Sequence, residues 1–414
     1  MPRPRVLVIG SGIAGLGAAR ALAGRADVTV LEAAARPGGH VYTVDVDGTP
    51  VDMGFIVFSR PSYPRLCKLF DQLGIASRPT AMSFSVSLPD DDRRFEWSSA
   101  SPGGWFAQPG NLLRARHWRF LVEVVRFLRL GQRDLGSERT RRATLDEWLH
   151  DRRVSADIRE RFVVPLAAAL WSLAPARCGA FPAETYLRFM AHHGMLRATR
   201  PHPWRTVLGG SRTYLRALLA EGGFAVETGA AVTQVHRDDA GVTVVAGGRE
   251  HRADRVILAT AADRALAVLA DPTDDERRWL GPLSTSENRT VLHSDPRVMP
   301  AAPRAWASWN YTRGADDQRV AVTYWMNRLM GLPAAPPYLV TLNPDRPLER
   351  VHHTAQFHHP QFDFAALDAH QALPGLQGAR RTYFCGAWTG FGFHEDGLRS
   401  GQVAAARLMT DEGL

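Results

Sequence analysis

Lysine is almost missing from this sequence: of its 50 Lys and Arg residues, only Lys68 is a lysine. The net charge of +8 rests on arginines that are interspersed with Asp and Glu rather than massed in tails. With no reading motif beside them, nucleic acid is excluded as the expected partner. A solvated arginine-rich surface remains, with an anionic phospholipid surface as the alternative. Cysteine is scarce too. Cys67, Cys178 and Cys385 are odd in number and widely spaced, which excludes a disulfide framework and a zinc site and makes a reducing cytoplasm the expected compartment. No apolar run approaches the roughly 18 residues of a membrane span, and glycines interrupt the N-terminal apolar stretch before it could serve as a secretory segment. A soluble chain is expected, and its 414 residues, 45% of them apolar, suffice for two domains with separate cores.

What is present is concentrated at the start. Val6-Leu-Val-Ile-Gly10-Ser-Gly12-Ile13-Ala14-Gly15 reads as strand, tight turn and helix, with the spacing G-x-G-x-x-G at the turn. Gly10 permits the turn, Gly12 lets backbone approach a pyrophosphate, and Gly15 lets helix and strand pack closely. The N-terminus of the helix, at Ile13 and Ala14, then faces the phosphate charge. A second strand runs from Asp27 to Glu32, and Glu32 falls about 20 residues beyond the glycines, where a carboxylate accepts from ribose hydroxyls. Ala33 to His40 adds Gly38, Gly39 and two basic-capable side chains, Arg36 and His40, in a second phosphate-facing loop. This extension suits FAD better than NAD. No second G-x-G-x-x-G occurs, so a nicotinamide domain on this chain is not expected.

Further along, alternation around Asp47-Gly48 predicts a hairpin, and Asp52-Met-Gly54 returns a flexible backbone towards the cofactor. Asp52 itself is either a turn-stabilising aspartate or a cofactor neighbour. Pro64 to Gly74 reads as a short helix, Met82 to Leu88 as a strand, and Pro89 to Asp92 as a turn. Asn111 to about Arg200 is helical in character. There Trp118, Leu121, Val124, Val125 and Leu128 recur at helical spacing among Arg114, Arg116, Arg119, Arg126 and Arg129. That pattern fits a helix packed on its neighbours with a solvated outer face, or an interfacial helix. Thr144 to Glu147 is a capping box, and Trp171 is read as core. Alternating strands follow from Val226 to Val245, with a buried one at Arg255 to Ala259. Others lie at Thr290–His293, Ala305–Tyr311, Val320–Asn327 and Tyr338–Leu342, from which Trp309 and Tyr324 are candidates for a cavity wall. His352, His353, His358 and His359 sit where a strand passes into a loop, and adjacent pairs point to opposite faces. That disfavours a metal, and none is expected, but it leaves one of them free to exchange a proton. Near the C-terminus, a strand ends at Gly386-Ala387, a glycine-rich loop follows, and a helix is predicted to begin near Gly397.

These motifs resemble the flavin-containing amine oxidase superfamily, in which the first acidic residue is followed by a glycine pair and usually an arginine. His40 stands at that arginine's position. The resemblance extends over essentially the whole chain. Together with Ser308-Trp-Asn-Tyr311, Tyr324-Trp-Met-Asn-Arg328 and His394-Glu-Asp-Gly397, it looks like a bacterial branch of FAD/NAD-binding oxidoreductases. It implies a Rossmann-type, three-layer FAD-binding α/β domain built from residues 1–80, 205–285 and 365–414. An α+β substrate domain of helices and mixed sheet, residues 81–204 and 286–364, is inserted. It further implies that Gly54, Phe55 and Ile56 approach the isoalloxazine, that Val232 meets the adenine end, and that Gly209-Gly210 re-enters the cofactor domain. Gly386, Ala387, Asp396, Gly397 and Leu398 then form the second flavin-facing turn. Two departures stand out. Ala387 replaces the usual Glu, and the lysine that many relatives place near flavin N5 has no counterpart, since Lys68 lies elsewhere.

The expected function is therefore an FAD-dependent oxidoreductase that takes a hydride from an apolar small-molecule or lipid substrate, such as a fatty-acyl chain, to flavin N5. Relatives in this branch accompany fatty-acid-modifying methyltransferases, which implies the acyl chain. A flavin amine oxidase and a non-redox FAD isomerase or structural flavin binder are the alternatives. Noncovalent FAD is expected, with Cys385 the nearest thiol. His394 is the first candidate for proton transfer, followed by Tyr324, His352 and His353.

Overall fold

The computed structural model describes residues 3–89, 94–197, 202–313 and 321–414. The predicted turn at Asp90 to Asp92 and the strand position Val320 lie outside them. A parallel five-stranded sheet forms the base, in the order Ala225–Glu227, Asp27–Leu31, Arg5–Ile9, Arg255–Leu258, Thr382–Phe384. Its strands are apolar on both faces because both are covered. Val6, Val8, Val28 and Val30 pack under the helices Ile13–Leu22 and His394–Glu412. Leu7, Ile9 and Leu31 face the antiparallel sheet of Val232–Arg237, Val242–Ala246 and Arg249–Ala253. Three layers result, in a mixed α/β fold. The two helices approach closely through glycine: a Cβ on Gly401 would stand 2.0 Å from the Ala14 carbonyl oxygen.

Seven further strands build a mixed sheet, in which Trp309–Thr312 runs parallel to Phe84–Pro89 and the other pairs are antiparallel. One face carries Val86, Phe95, Trp97 and Val322 against aromatic side chains of the helical segment, including Phe120, Phe127, Trp148 and Trp171. The Thr144 box caps Leu145–Asp151, with Glu147 N–H donating to Thr144 Oγ1 at 3.2 Å and Thr144 N–H to Glu147 Oε2 at 2.8 Å.

Three boundaries differ from expectation. The histidine segment does not pass into a loop but forms one ten-residue strand, Val351–Pro360, because Thr285–His293 pairs with it throughout. Met326 and Asn327 leave their strand to start the helix Met326–Met330, since the Asn327 amide holds the following loop through Pro336 O (2.9 Å) and Tyr338 N–H (2.7 Å). The last helix begins at His394 rather than Gly397. Asp396 Oδ2 accepts the N–H groups of Phe391 and Phe393, at 3.0 and 3.2 Å, and draws the preceding turn into the helix.

Candidate active site and cofactor cradle

The first turn is locked by contacts that only glycine allows. Gly10 adopts φ +102°, and a Cβ on Gly15 would meet the Gly10 carbonyl oxygen at 1.9 Å. Between them the buried Ser11 donates from N (2.9 Å) and Oγ (2.5 Å) to Glu32 Oε2, while Gly38 N–H donates to Ser11 Oγ at 3.0 Å. Ser11 thus ties both glycine loops to the acidic residue. Sequence reading passed over it, although a small polar residue inside a G-x-G is a signal that could have found it. Ala34 N–H takes Oε1 of Glu32 at 2.9 Å, so three of about four acceptor positions of this carboxylate are used and one is left for a ribose hydroxyl. Arg36 braces the loop, stacking 3.5 Å from the Tyr42 ring and donating to Gly39 O and Val41 O, each at 3.1 Å.

From this turn a cavity of about 2640 Å³ runs past Gly54–Val57 and Gly386–Trp388 to Phe84, Trp309, Tyr324 and the helix Ala115–Asp134. That is larger than the roughly 300–1,000 Å³ of a drug-sized ligand pocket and leaves room for a dinucleotide and a substrate together. The geometry of the cradle fits FAD. A Cβ on Gly12 would meet nothing within 4 Å, so this helix N-terminus opens onto free cavity, and Gly39 stands against it with its own virtual Cβ 3.2 Å from Gly12 Cα. Gly54 and Gly386 have no such freedom: their Cβ atoms would lie 2.1 Å from His40 O and 2.2 Å from Trp388 Nε1.

Of the residues expected at the cofactor, Gly10, Gly12, Ile13, Ala14, Glu32, Ala33, Gly39 and His40 line this cavity, as do Gly54, Phe55, Ile56, Val232, Gly386, Ala387 and Gly397. Gly15 and Gly38 shape the turns behind it; the virtual Cβ of Gly38 would strike Leu215 Cδ2 at 2.7 Å. Asp396 and Leu398 turn elsewhere. The first is spent on the loop N–H groups and Arg399, and the second packs into the core beneath the cofactor turn. Asp52 is structural in its contacts. Buried, it accepts from Ser211 N (3.0 Å), Ser211 Oγ (2.8 Å) and Thr43 Oγ1 (2.5 Å), and joins the hairpin to the Gly209-Gly210 loop. Burial lifts its carboxyl to about 6.

The histidines divide sharply. His394 lines the cavity, stacks on Phe55 with centroids 4.0 Å apart, and shares a short hydrogen bond through Nε2 with Tyr214 OH. Burial, with His40 nearby, pushes it down to about 3, so it is neutral at pH 7 and has Nδ1 left over. His40 stacks on Phe357 and is held at about 4. His358 and His359, in the same group of four as the favoured His352 and His353, line the same cavity. The Nδ1 of His359 lies 2.9 Å from Asn288 Nδ2 and 3.1 Å from Ser172 Oγ. An amide nitrogen only donates, so Nδ1 accepts and the proton of the neutral ring sits on Nε2. The favoured pair does not reach the cavity. His352 bonds Ser294 Oγ at 2.8 Å on one side of the strand, and His353 bonds Tyr42 OH at 2.7 Å on the other. Tyr324 is in the cavity wall, its phenol raised by burial. Among the described residues no three His, Cys, Asp or Glu side chains converge as a metal site.

Charge within the cavity is one-sided. Glu32 is the only acidic side chain lining it among the described residues, and Lys68 is exposed on the helix Pro64–Gln72, outside it. Arg126, Arg129 and Arg133, from the helix Ala115–Asp134, line it, as do Arg36, Arg197 and Arg264. Cys67, Cys178 and Cys385 are buried and none lines the cavity, with the Cys385 thiol raised to about 12 by burial.

Comparison with known proteins places these features in one family. The chain is similar to a protein of Mycobacterium tuberculosis named as the flavin-containing monoamine oxidase AofH, at 28% identity over 291 residues, 64% of this chain and 59% of that protein. It therefore spans little more than half the length of this relative. Its fold resembles the CLA-producing fatty acid isomerase from P. acnes, with a TM-score of 0.72 at 18% identity and 99% of each chain covered. It also resembles cyclohexylamine oxidase from Brevibacterium oxydans, with a TM-score of 0.70 at 17% identity and 100% of each chain covered. Residues 13–287 match the family described as flavin containing amine oxidoreductase, and with two-thirds of its length inside that match the chain belongs to this family of FAD-dependent oxidoreductases.

Proposed function

We propose that the protein oxidises an apolar substrate with an acyl chain and an anionic end, holding its FAD noncovalently. The observation that carries this reading is the make-up of the cavity among the described residues: an aromatic and aliphatic wall, arginines that include three from the helix Ala115–Asp134, and a single carboxylate, Glu32, already engaged by Ser11 and Ala34. Among the described residues a cationic amine would find no free counter-charge there, whereas a carboxylate or phosphate finds Arg126, Arg129 or Arg133. When bound, FAD supplies the two-electron acceptor for the C–H bond being broken. Trp309 and Tyr324 hold the chain and exclude water, while His394, neutral and backed by Tyr214, is placed to hold or pass a proton at Nδ1. The fatty acid isomerase of similar fold supports the acyl-chain class. That the three cysteines are turned away from the cavity supports noncovalent binding, since none is placed to form a thioether to the flavin.

Anaerobic addition of fatty acids, acyl lipids and small primary amines to the flavoprotein tests the substrate class. Acyl compounds are expected to bleach the oxidised flavin absorbance and amines to leave it unchanged. Bleaching by amines alone overturns the reading. Release of all flavin into the supernatant on acid precipitation is expected, and flavin retained in the pellet refutes noncovalent attachment.

A further inference from the structure

The helix Ala115–Asp134 buries His117, Phe120, Val124, Phe127, Leu128 and Gly131. Its opposite face, Ala115, Trp118, Arg119, Val122, Arg126, Arg129 and Arg133 at spacings of three and four, is exposed. Together with Trp105, Leu112 and Leu113, this face holds half of the large apolar side chains left exposed among the described residues, Leu113 at 93% and Val122 at 66%. The patch is built rather than loose: Trp118 Nε1 donates to Leu112 O at 2.9 Å, and its ring packs on Phe106 at 4.9 Å. Trp105, Trp118, Val122, Arg126, Arg129 and Arg133 also line the cavity, so the patch surrounds its mouth.

Charge decides what fits there. Between residues 105 and 133 the sequence has six arginines and one acid, Glu123, whose carboxylate is turned onto Ser155. Asp157, from the neighbouring helix, pairs with Arg116 at 2.8 Å. A second copy of the face would oppose arginine to arginine, whereas lipid phosphates complement it. Tryptophan and leucine beside arginine are the side chains that an interfacial helix sets at the headgroup boundary. No described helix is long and apolar enough to cross a membrane.

We propose that residues 105–133 dock on an anionic phospholipid bilayer, with Leu112, Leu113, Trp118 and Val122 inserted below the headgroups and the arginines of the same face on lipid phosphates. The cavity then opens onto the membrane. Docking requires no particular substrate, so its test and the flavin-reduction test fail independently.

The test is co-sedimentation of the flavoprotein with phosphatidylglycerol or phosphatidylcholine vesicles. Wild type is expected to partition onto phosphatidylglycerol, weakly onto phosphatidylcholine, and less as salt rises. Leu112→Asp with Leu113→Asp should lower partitioning by about 10²-fold through lost apolar burial. Arg119→Gln, at an exposed position outside the cavity lining, should lower it by about five-fold. Flavin absorbance and thermal unfolding, expected to be unchanged at these exposed positions, verify that each variant is folded. Absence of a phosphatidylglycerol preference, or equal partitioning of the leucine variant, overturns the proposal. So does a lipid-free, concentration-dependent dimer that the leucine variant abolishes, since the face would then be covered by a second copy.

Discussion

A Cβ at Gly12 would meet nothing in the protein within 4 Å, so the close packing that excludes a side chain at Gly15 does not operate here. Gly12→Glu is therefore expected to fold and to lose its flavin, because a carboxylate would stand at the helix N-terminus in the pyrophosphate's place. The ratio of flavin to protein absorbance checks this, and wild-type flavin content in the folded variant would rule the cradle out. His394→Ala is expected to keep FAD and slow anaerobic flavin reduction by about 10²-fold, the scale of a lost acid–base group. An unchanged rate would return His394 to a packing role and shift attention to His359. The cradle was legible at this scale because its chemistry lies in consecutive residues with fixed spacing. The histidines were not. The sequence shows that neighbours on a strand alternate, but not that the cavity meets only the Ala355–Pro360 half of the strand, so that His358 and His359 line it while His352 and His353 do not.

At the scale of elements, periodicity and capping signals foretold the helix Ala115–Asp134 and the box at Thr144, and they were informative because both are local. Glu395 shows what local signals miss. Its Oε1 and Oε2 accept the N–H groups of Arg65 and Leu66, at 2.9 and 3.0 Å, and so cap the helix Pro64–Gln72 from 330 residues away. The residue before that helix, Tyr63, makes no side-chain cap of its own. Glu395→Ala should lower stability by about 1–2 kcal/mol, the value of an N-cap with a favourable helix-dipole charge. A urea midpoint unchanged from wild type would show that water replaces it at no cost. The early start of His394–Glu412 has a similar cause, since Asp396 captures N–H groups of a loop whose path depends on the whole cofactor turn.

Across the molecule, buried neutral histidines dominate the response to acid. His40, His193, His293, His359 and His394 are pushed by burial from 6.5 to about 3 or 4. The unfolded chain takes up their protons below about 6.5 and the folded one does not, so their stabilisation is complete above that pH and is lost as pH falls towards 4. Asp52 works the other way: with its carboxyl raised from 3.8 to about 6, its share is complete below 3.8 and lost as pH rises through 6. Asp396, whose carboxyl burial also raises, adds to Asp52, but the five histidines outweigh both, and Tm is expected to fall from pH 7.5 to pH 5. An equal or higher Tm at pH 5 would show that the histidines are protonated in the folded protein. The parallel sheet, whose strands come from residues 5–31, 225–258 and 382–384, could be anticipated from its glycine turns. An apolar substrate was an expectation of the family resemblance, and proposing it over an amine rests on which charges line the cavity among the described residues. The most direct measurement of that choice is a single-turnover anaerobic reaction with an acyl lipid, followed by flavin absorbance and by the mass of the recovered lipid. The account predicts one flavin bleached for each lipid that loses two hydrogens. A lipid rearranged without loss of mass while the flavin stays oxidised, or a flavin reduced by amines alone, would contradict it.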